Sequence, residues 1–86
     1  MKGALGVLGG MGPLATADFL QKVIRTTPAE RDQEHIPILV YAVPQVPDRT
    51  ESIFSGSDEP LTWMRQGLKM LRDSGAECIA IPCNTA

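Results

Sequence analysis

Three short apolar runs, Ala4 to Leu8, Ile36 to Val43 and Cys78 to Ile81, constrain this chain more than any other feature. Glycine or proline follows the end of each. Short apolar runs bounded by turn formers read as buried strands; Pro37 interrupts the second one early. Two stretches of helical spacing lie between them. From Pro13 to Thr26, the residues Leu14, Ala17, Leu20 and Ile24 predict one inward helix face. Pro13 suits the first helical position, where its missing N–H costs nothing, and Pro28 prevents continuation. From Pro60 onward, Leu61, Met64, Leu68 and Leu71 form a second stripe, with Ser57 or Asp58 as cap and Gly75 as stop. The order is β-α-β-α-β. Strands joined by helical crossovers are parallel, so the expected class is a doubly wound, three-layer α/β fold with a parallel sheet.

That topology puts every loop that follows a strand on one edge of the sheet. Here those loops are Gly9 to Pro13, Pro44 to Thr50 and Pro82 to Ala86. Open α/β sheets bind ligands outside the carboxyl ends of their strands, so the three segments should converge on one site. Gly9-Gly10-Met11-Gly12-Pro13 places backbone N–H groups at a helix N-terminus, a geometry that binds carboxylate or phosphate. It is also what a plain β-α turn of small residues looks like. Gly10-x-Gly12-x-x-Ala15 fits a permissive dinucleotide fingerprint, but Val43-Pro44-Gln45 offers no acidic residue for a ribose. Arg49, between Asp48 and Thr50, carries a planar guanidinium suited to bidentate grip on a carboxylate; the bland reading is a surface pair with Asp48. Cys83 precedes polar residues able to start a helix, whose field would favour thiolate. Cys78, inside an apolar strand, is expected to be the buried and inert thiol. Cys83 should therefore alkylate faster than Cys78. Asn84 and Thr85 offer donors to a substrate carboxylate, or else a helix cap.

Composition removes other classes. The 86 residues suffice for one small domain, 43% are hydrophobic and 21% charged, and the formal net charge is −2. No basic surface invites nucleic acid, no apolar run approaches the roughly 20 residues that cross a bilayer, and the N-terminus lacks a signal-peptide pattern. A cytoplasmic location is the default expectation. The two cysteines are not spaced as CxxC and have no histidine nearby, so no zinc site is expected; His35 reads as a loop residue.

The segments Gly9-Gly10-Met11-Gly12-Pro13-Leu14-Ala15-Thr16-Ala17, Pro47-Asp48-Arg49-Thr50 and Pro82-Cys83-Asn84-Thr85-Ala86 resemble the aspartate racemase branch of the aspartate/glutamate racemase superfamily. They occur in that family's order and spacing and cover the whole chain. The resemblance implies two pseudo-symmetric α/β halves with an active site in the cleft between them, one cysteine from each half, and no pyridoxal phosphate, metal or nucleotide. Carried over by position, Cys83 would be the first-half acid/base. Arg49, beside Thr50, would bind the substrate carboxylate, while Met11, Asn84, Thr85 and Ala86 would line the pocket. Glutamate racemases place an acidic residue beside a serine and glycine in the first turn. Gly-Gly-Met-Gly and the PDRT segment favour an acidic amino-acid substrate, aspartate first. Glutamate and hydantoin racemases, maleate isomerases and arylmalonate decarboxylases are the nearest enzyme alternatives; a small nucleotide-binding module is the non-catalytic one.

Residues 1–86 are thus expected to be the N-terminal half of a two-half racemase, homodimeric at full length. The opposing half and its cysteine are not in the sequence. Ending at Cys83-Asn84-Thr85-Ala86, directly after an apolar run, the chain reads as a fragment, and by itself it is expected not to racemise.

Overall fold

In a computed structural model of the chain, residues 3–10, 12–43 and 59–82 are described. Strand β1 (Ala4–Gly9) leads into helix α1 (Pro13–Thr26), strand β2 (Ile38–Ala42), helix α2 (Glu59–Asp73) and strand β3 (Ala76–Ala80). One 3-10 turn, Asp32–Glu34, interrupts the α1–β2 connection. There the Glu34 carboxylate accepts the Glu30 and Arg31 amides at 3.0 and 3.1 Å.

The sheet is parallel, in the order β2-β1-β3. The central strand is the core: Ala4, Val7 and Leu8 are buried, joined by Val43 and Leu71. Leu8 packs beside Gly67 of α2, whereas Gly9 lies against Thr16 of α1. Neighbouring residues of a strand point to opposite faces, so the two helices cover opposite sides of the sheet. That is the three-layer, doubly wound arrangement expected from right-handed crossovers to either side of β1.

Three local expectations are corrected. Strand β2 starts at Ile38, not Ile36. Pro37 has no N–H for a ladder, and only its carbonyl is used, by the Leu5 amide at 2.9 Å. Strand β3 starts two residues early, at Ala76. Its register slips between Ala4↔Ala76 and Leu5↔Cys78, leaving Glu77 as the extra residue of a bulge. The Glu77 carboxylate accepts the Gly3 amide at 2.9 Å.

The third correction concerns α1. Leu14 is 85% exposed and Ile24 51%, while Thr16 is only 4% exposed. The helix is turned so that a hydroxyl, not the leucine row, meets β1. On α2, Gly67 and Leu71 are buried and Leu61 is exposed, so the inward row is shifted toward the helix C-terminus. That helix ends where expected, with the Ser74 and Gly75 amides bonded to the Met70 and Arg72 carbonyls.

Candidate functional site at the carboxyl edge of the sheet

Gly9 is in register with Ala42 and Val7 with Ala80, so all three strands finish at one edge. Gly10, Val43 and the Ile81-Pro82 pair leave the sheet there, with β1 between the other two. The Val43 amide still bonds the Gly9 carbonyl, at 3.0 Å, which ties the start of the second loop to the glycine turn. The three expected loops therefore begin at one edge of the sheet. The residues expected to do the chemistry, Met11, Arg49, Thr50, Cys83, Asn84, Thr85 and Ala86, lie outside the described residues. Arg49 and Thr50 belong to the segment that starts after Val43. Cys83 is the residue bonded to Pro82.

The described wall of the site is the start of α1. Gly12 is its N-cap, extended at φ −93° and ψ 152°, with no side-chain capping bond, and Pro13 opens the helix. An α-helix leaves its first amides without intrahelical partners. After proline, the next of these belong to Leu14 and Ala15. The first turn carries no acidic residue, so no side chain there offsets the positive end of the helix dipole. Such an end favours a carboxylate.

One expected donor is already used. The Gly10 amide donates to Thr16 Oγ1 at 2.9 Å in a buried hydrogen bond. Gly10 sits at φ +99°, a left-handed conformation that a side chain disfavours. Gly9 is needed for another reason: a Cβ there would overlap the Thr16 hydroxyl and lie 2.6 Å from its methyl. Thr16 is the site feature that pattern reading missed. Its signal was a threonine three residues after Pro13, where the apolar spacing counted only carbons.

Cys78 is exposed, not buried. It shares a register position with Leu5, on the α1 side of the sheet, and α1 packs chiefly on β1. Iodoacetamide is expected to modify Cys78 in the native 86-residue chain. Peptide mass mapping that finds Cys78 untouched until denaturant is added would show that this face is covered in solution.

Among the described residues, no three His, Cys, Asp or Glu side chains come together in a metal-binding group. Strand β2 ends at Ala42, and neither Ala42 nor the following Val43 carries an acidic side chain for a ribose. No helix among the described residues is long and apolar enough to cross a membrane.

An α/β unit with a three-stranded parallel sheet, a helix on each side and its strand ends gathered at a glycine turn defines the class. The chain belongs to the Asp/Glu/hydantoin racemase family, which it matches over residues 8–86. It is similar to an aspartate racemase from Picrophilus torridus, with a TM-score of 0.86 and 40% identity, over 96% of this chain and 36% of that one. It is also 33% identical, over 86 residues, to the broad specificity amino-acid racemase RacX of Bacillus subtilis (strain 168). That alignment covers 95% of this chain and 37% of RacX. The chain thus spans little more than a third of the length of these relatives.

Proposed function

We propose that this chain forms the first of two halves of a cofactor-independent amino-acid racemase acting on an acidic substrate, aspartate first. The observation that carries the reading is the gathering of three strand ends beside an uncapped helix N-terminus. Family membership and the activities for which the two relatives are named support it. Cys83 is the acid/base of this half, and a cysteine of a second half faces it across Cα. Racemisation takes a proton from one side of Cα and returns one to the other, so two groups must flank the carbon. Thiols suit the task because one waits as thiolate while the other waits as thiol. The Cα–H is a weak acid. With no cofactor as electron sink, charge developing on the carboxylate needs preorganised donors. The Leu14 and Ala15 amides, those of residues 84–86 and the Arg49 guanidinium are assigned that work, and Thr50 and Met11 complete the wall. Since Cys78 is exposed, the greater reactivity assigned to Cys83 comes from its thiolate fraction and not from access.

The assay is Cα exchange. The protein that contains this chain, incubated with L-aspartate in deuterated water, should yield Cα-deuterated D-aspartate, read by proton NMR and chiral chromatography. Other amino acids and hydantoins belong in the same panel, because one relative is named for broad specificity. Absence of Cα exchange with every substrate would sink the reading.

Arg49→Lys should weaken that activity strongly. The lysine keeps the charge but loses the two-pronged contact, and a hydrogen bond to a charged group is worth about 1.5–3 kcal/mol. That corresponds to about 10- to 100-fold in kcat/KM. Unchanged steady-state kinetics would make Arg49 a surface residue.

A further inference from the structure

We infer that Thr16 is a positioning residue: its buried hydroxyl holds the glycine turn at the end of β1 in the shape that presents the start of α1 to substrate. The inference rests on the racemase reading, but it comes from a different part of the structure. Thr16 is 4% exposed and stands where an inward-facing helix residue meets the sheet. An apolar side chain would be the simpler occupant, because a hydroxyl moved out of water costs free energy unless it is bonded. Here it is bonded, and among the described residues its partners lie in the turn. Thr16 Oγ1 accepts the Gly10 amide at 2.9 Å and donates to the Gly12 carbonyl oxygen across a long 3.4 Å. The same carbonyl accepts the Thr16 amide at 3.3 Å. One residue of α1 therefore grips both flanks of position 11, and the second flank is the helix N-cap.

The neighbours leave the clamp little play. Gly9 has no room for a Cβ because Thr16 fills that space. Threonine in a helix shares two χ1 rotamers, and bonds to the Gly10 amide and to the Gly12 carbonyl four residues back select the one that faces the turn. Gly10 adopts φ +99°, and its captured amide holds that conformation. Removing the hydroxyl while keeping its volume leaves the packing intact and frees the turn. The amides of Leu14 and Ala15 then lose a fixed direction relative to the strand ends.

The test uses the full-length protein and three variants: Thr16→Val, an isosteric swap that removes the hydroxyl; Thr16→Ser, which keeps it; and Thr16→Cys, which offers a weak acceptor. Four quantities are read: kcat and KM for aspartate in both directions, Tm, and hydrogen exchange at the Gly10 amide. Thr16→Val should exchange Gly10 about tenfold faster or more and lose about tenfold or more in kcat, since small misplacements of binding groups act on rate. Thr16→Ser should restore both to within about threefold, which a purely structural role would not predict from its lost methyl. If Thr16→Val fails to fold, Thr16→Cys takes its place and should exchange Gly10 faster and turn over more slowly than Thr16→Ser. Wild-type kcat and KM in a folded variant with fast Gly10 exchange would overturn the positioning role. Slow Gly10 exchange without the hydroxyl would overturn the clamp. A wild-type protein that moves no Cα proton would instead defeat the racemase reading and take the role of Thr16 with it. The Gly10 exchange comparison would tell that outcome from failure of the clamp.

Discussion

Cys83→Ser in the full-length protein is expected to cut racemisation of aspartate by about 10²–10⁴-fold, the usual contribution of a positioned acid/base. Serine keeps the shape and the hydrogen-bonding capacity, but its hydroxyl ionises far less readily than a thiol, so one side of Cα loses its base. The loss should not be symmetrical in every readout. In the proposed mechanism the second half still offers its own thiol, so Cα deuteration without inversion should survive for one enantiomer while interconversion is lost. Both signals come from the same deuterated-water experiment. Equal loss of exchange for the two enantiomers would point to a binding role for Cys83, and unchanged interconversion would remove it from the mechanism. By the same logic the 86 residues alone should not racemise aspartate. Of their two cysteines only Cys83 is assigned to the site, and water on the open side of Cα raises the effective dielectric around the carboxylate and weakens its stabilisation. Full racemisation by the isolated chain would contradict the two-half mechanism, unless a dimer presents Cys83 from both sides.

Gly9→Ala should be the most damaging single methyl in the described fold. Its Cβ would overlap Thr16 Oγ1, with the Thr16 methyl at 2.6 Å and its Cβ at 3.1 Å. None of these atoms is the free end of a flexible chain, so α1 must lift from β1. Overpacking of this kind costs about 1–3 kcal/mol. Displacing Thr16 also leaves the buried Gly10 amide without its acceptor, for about 1–3 kcal/mol more. In a domain of this size that lowers Tm by on the order of 10 °C or more. Gly67→Ala is the matched control. A Cβ there would meet Leu8 Cδ1 at 2.5 Å and the Tyr41 ring at 3.3 Å. The nearest atom is the end of a leucine side chain, which can rotate, and alanine in a helix interior recovers about 1 kcal/mol over glycine. The two variants should therefore separate clearly in thermal unfolding. A Gly67→Ala protein less stable than Gly9→Ala would mean that the helix-to-sheet contacts are assigned to the wrong sides.

Much of this architecture is decided locally. Strand, glycine turn and proline-led helix follow one another because each needs only its own residues. Pro13 and Gly75 mark a helix start and a helix stop through backbone constraints that no distant contact has to supply. Parallel pairing follows from the length of the crossovers, and with it the gathering of Gly10, Val43 and Pro82 at one edge. The candidate site was legible to that extent, as three strand ends at one edge.

Other features depend on what lies across the interface. Apolar spacing pointed Leu14 inward, yet Thr16 faces β1, because Gly9 leaves a space and the Gly10 amide needs an acceptor there. Neither fact is visible in the helix sequence alone. The third apolar run starts at Cys78, but β3 starts at Ala76, and Glu77 is the extra residue of a bulge whose carboxylate holds the Gly3 amide. Cys78 read as buried because its neighbours in sequence are apolar. Its exposure depends on which side of β3 it occupies and on how far α1 reaches across the sheet. The sequence by itself determined the order of elements, the parallel sheet and the edge at which its strands end. Only the tertiary structure decided which helix face turns inward and which polar groups are satisfied, because those depend on atoms brought together from distant parts of the chain.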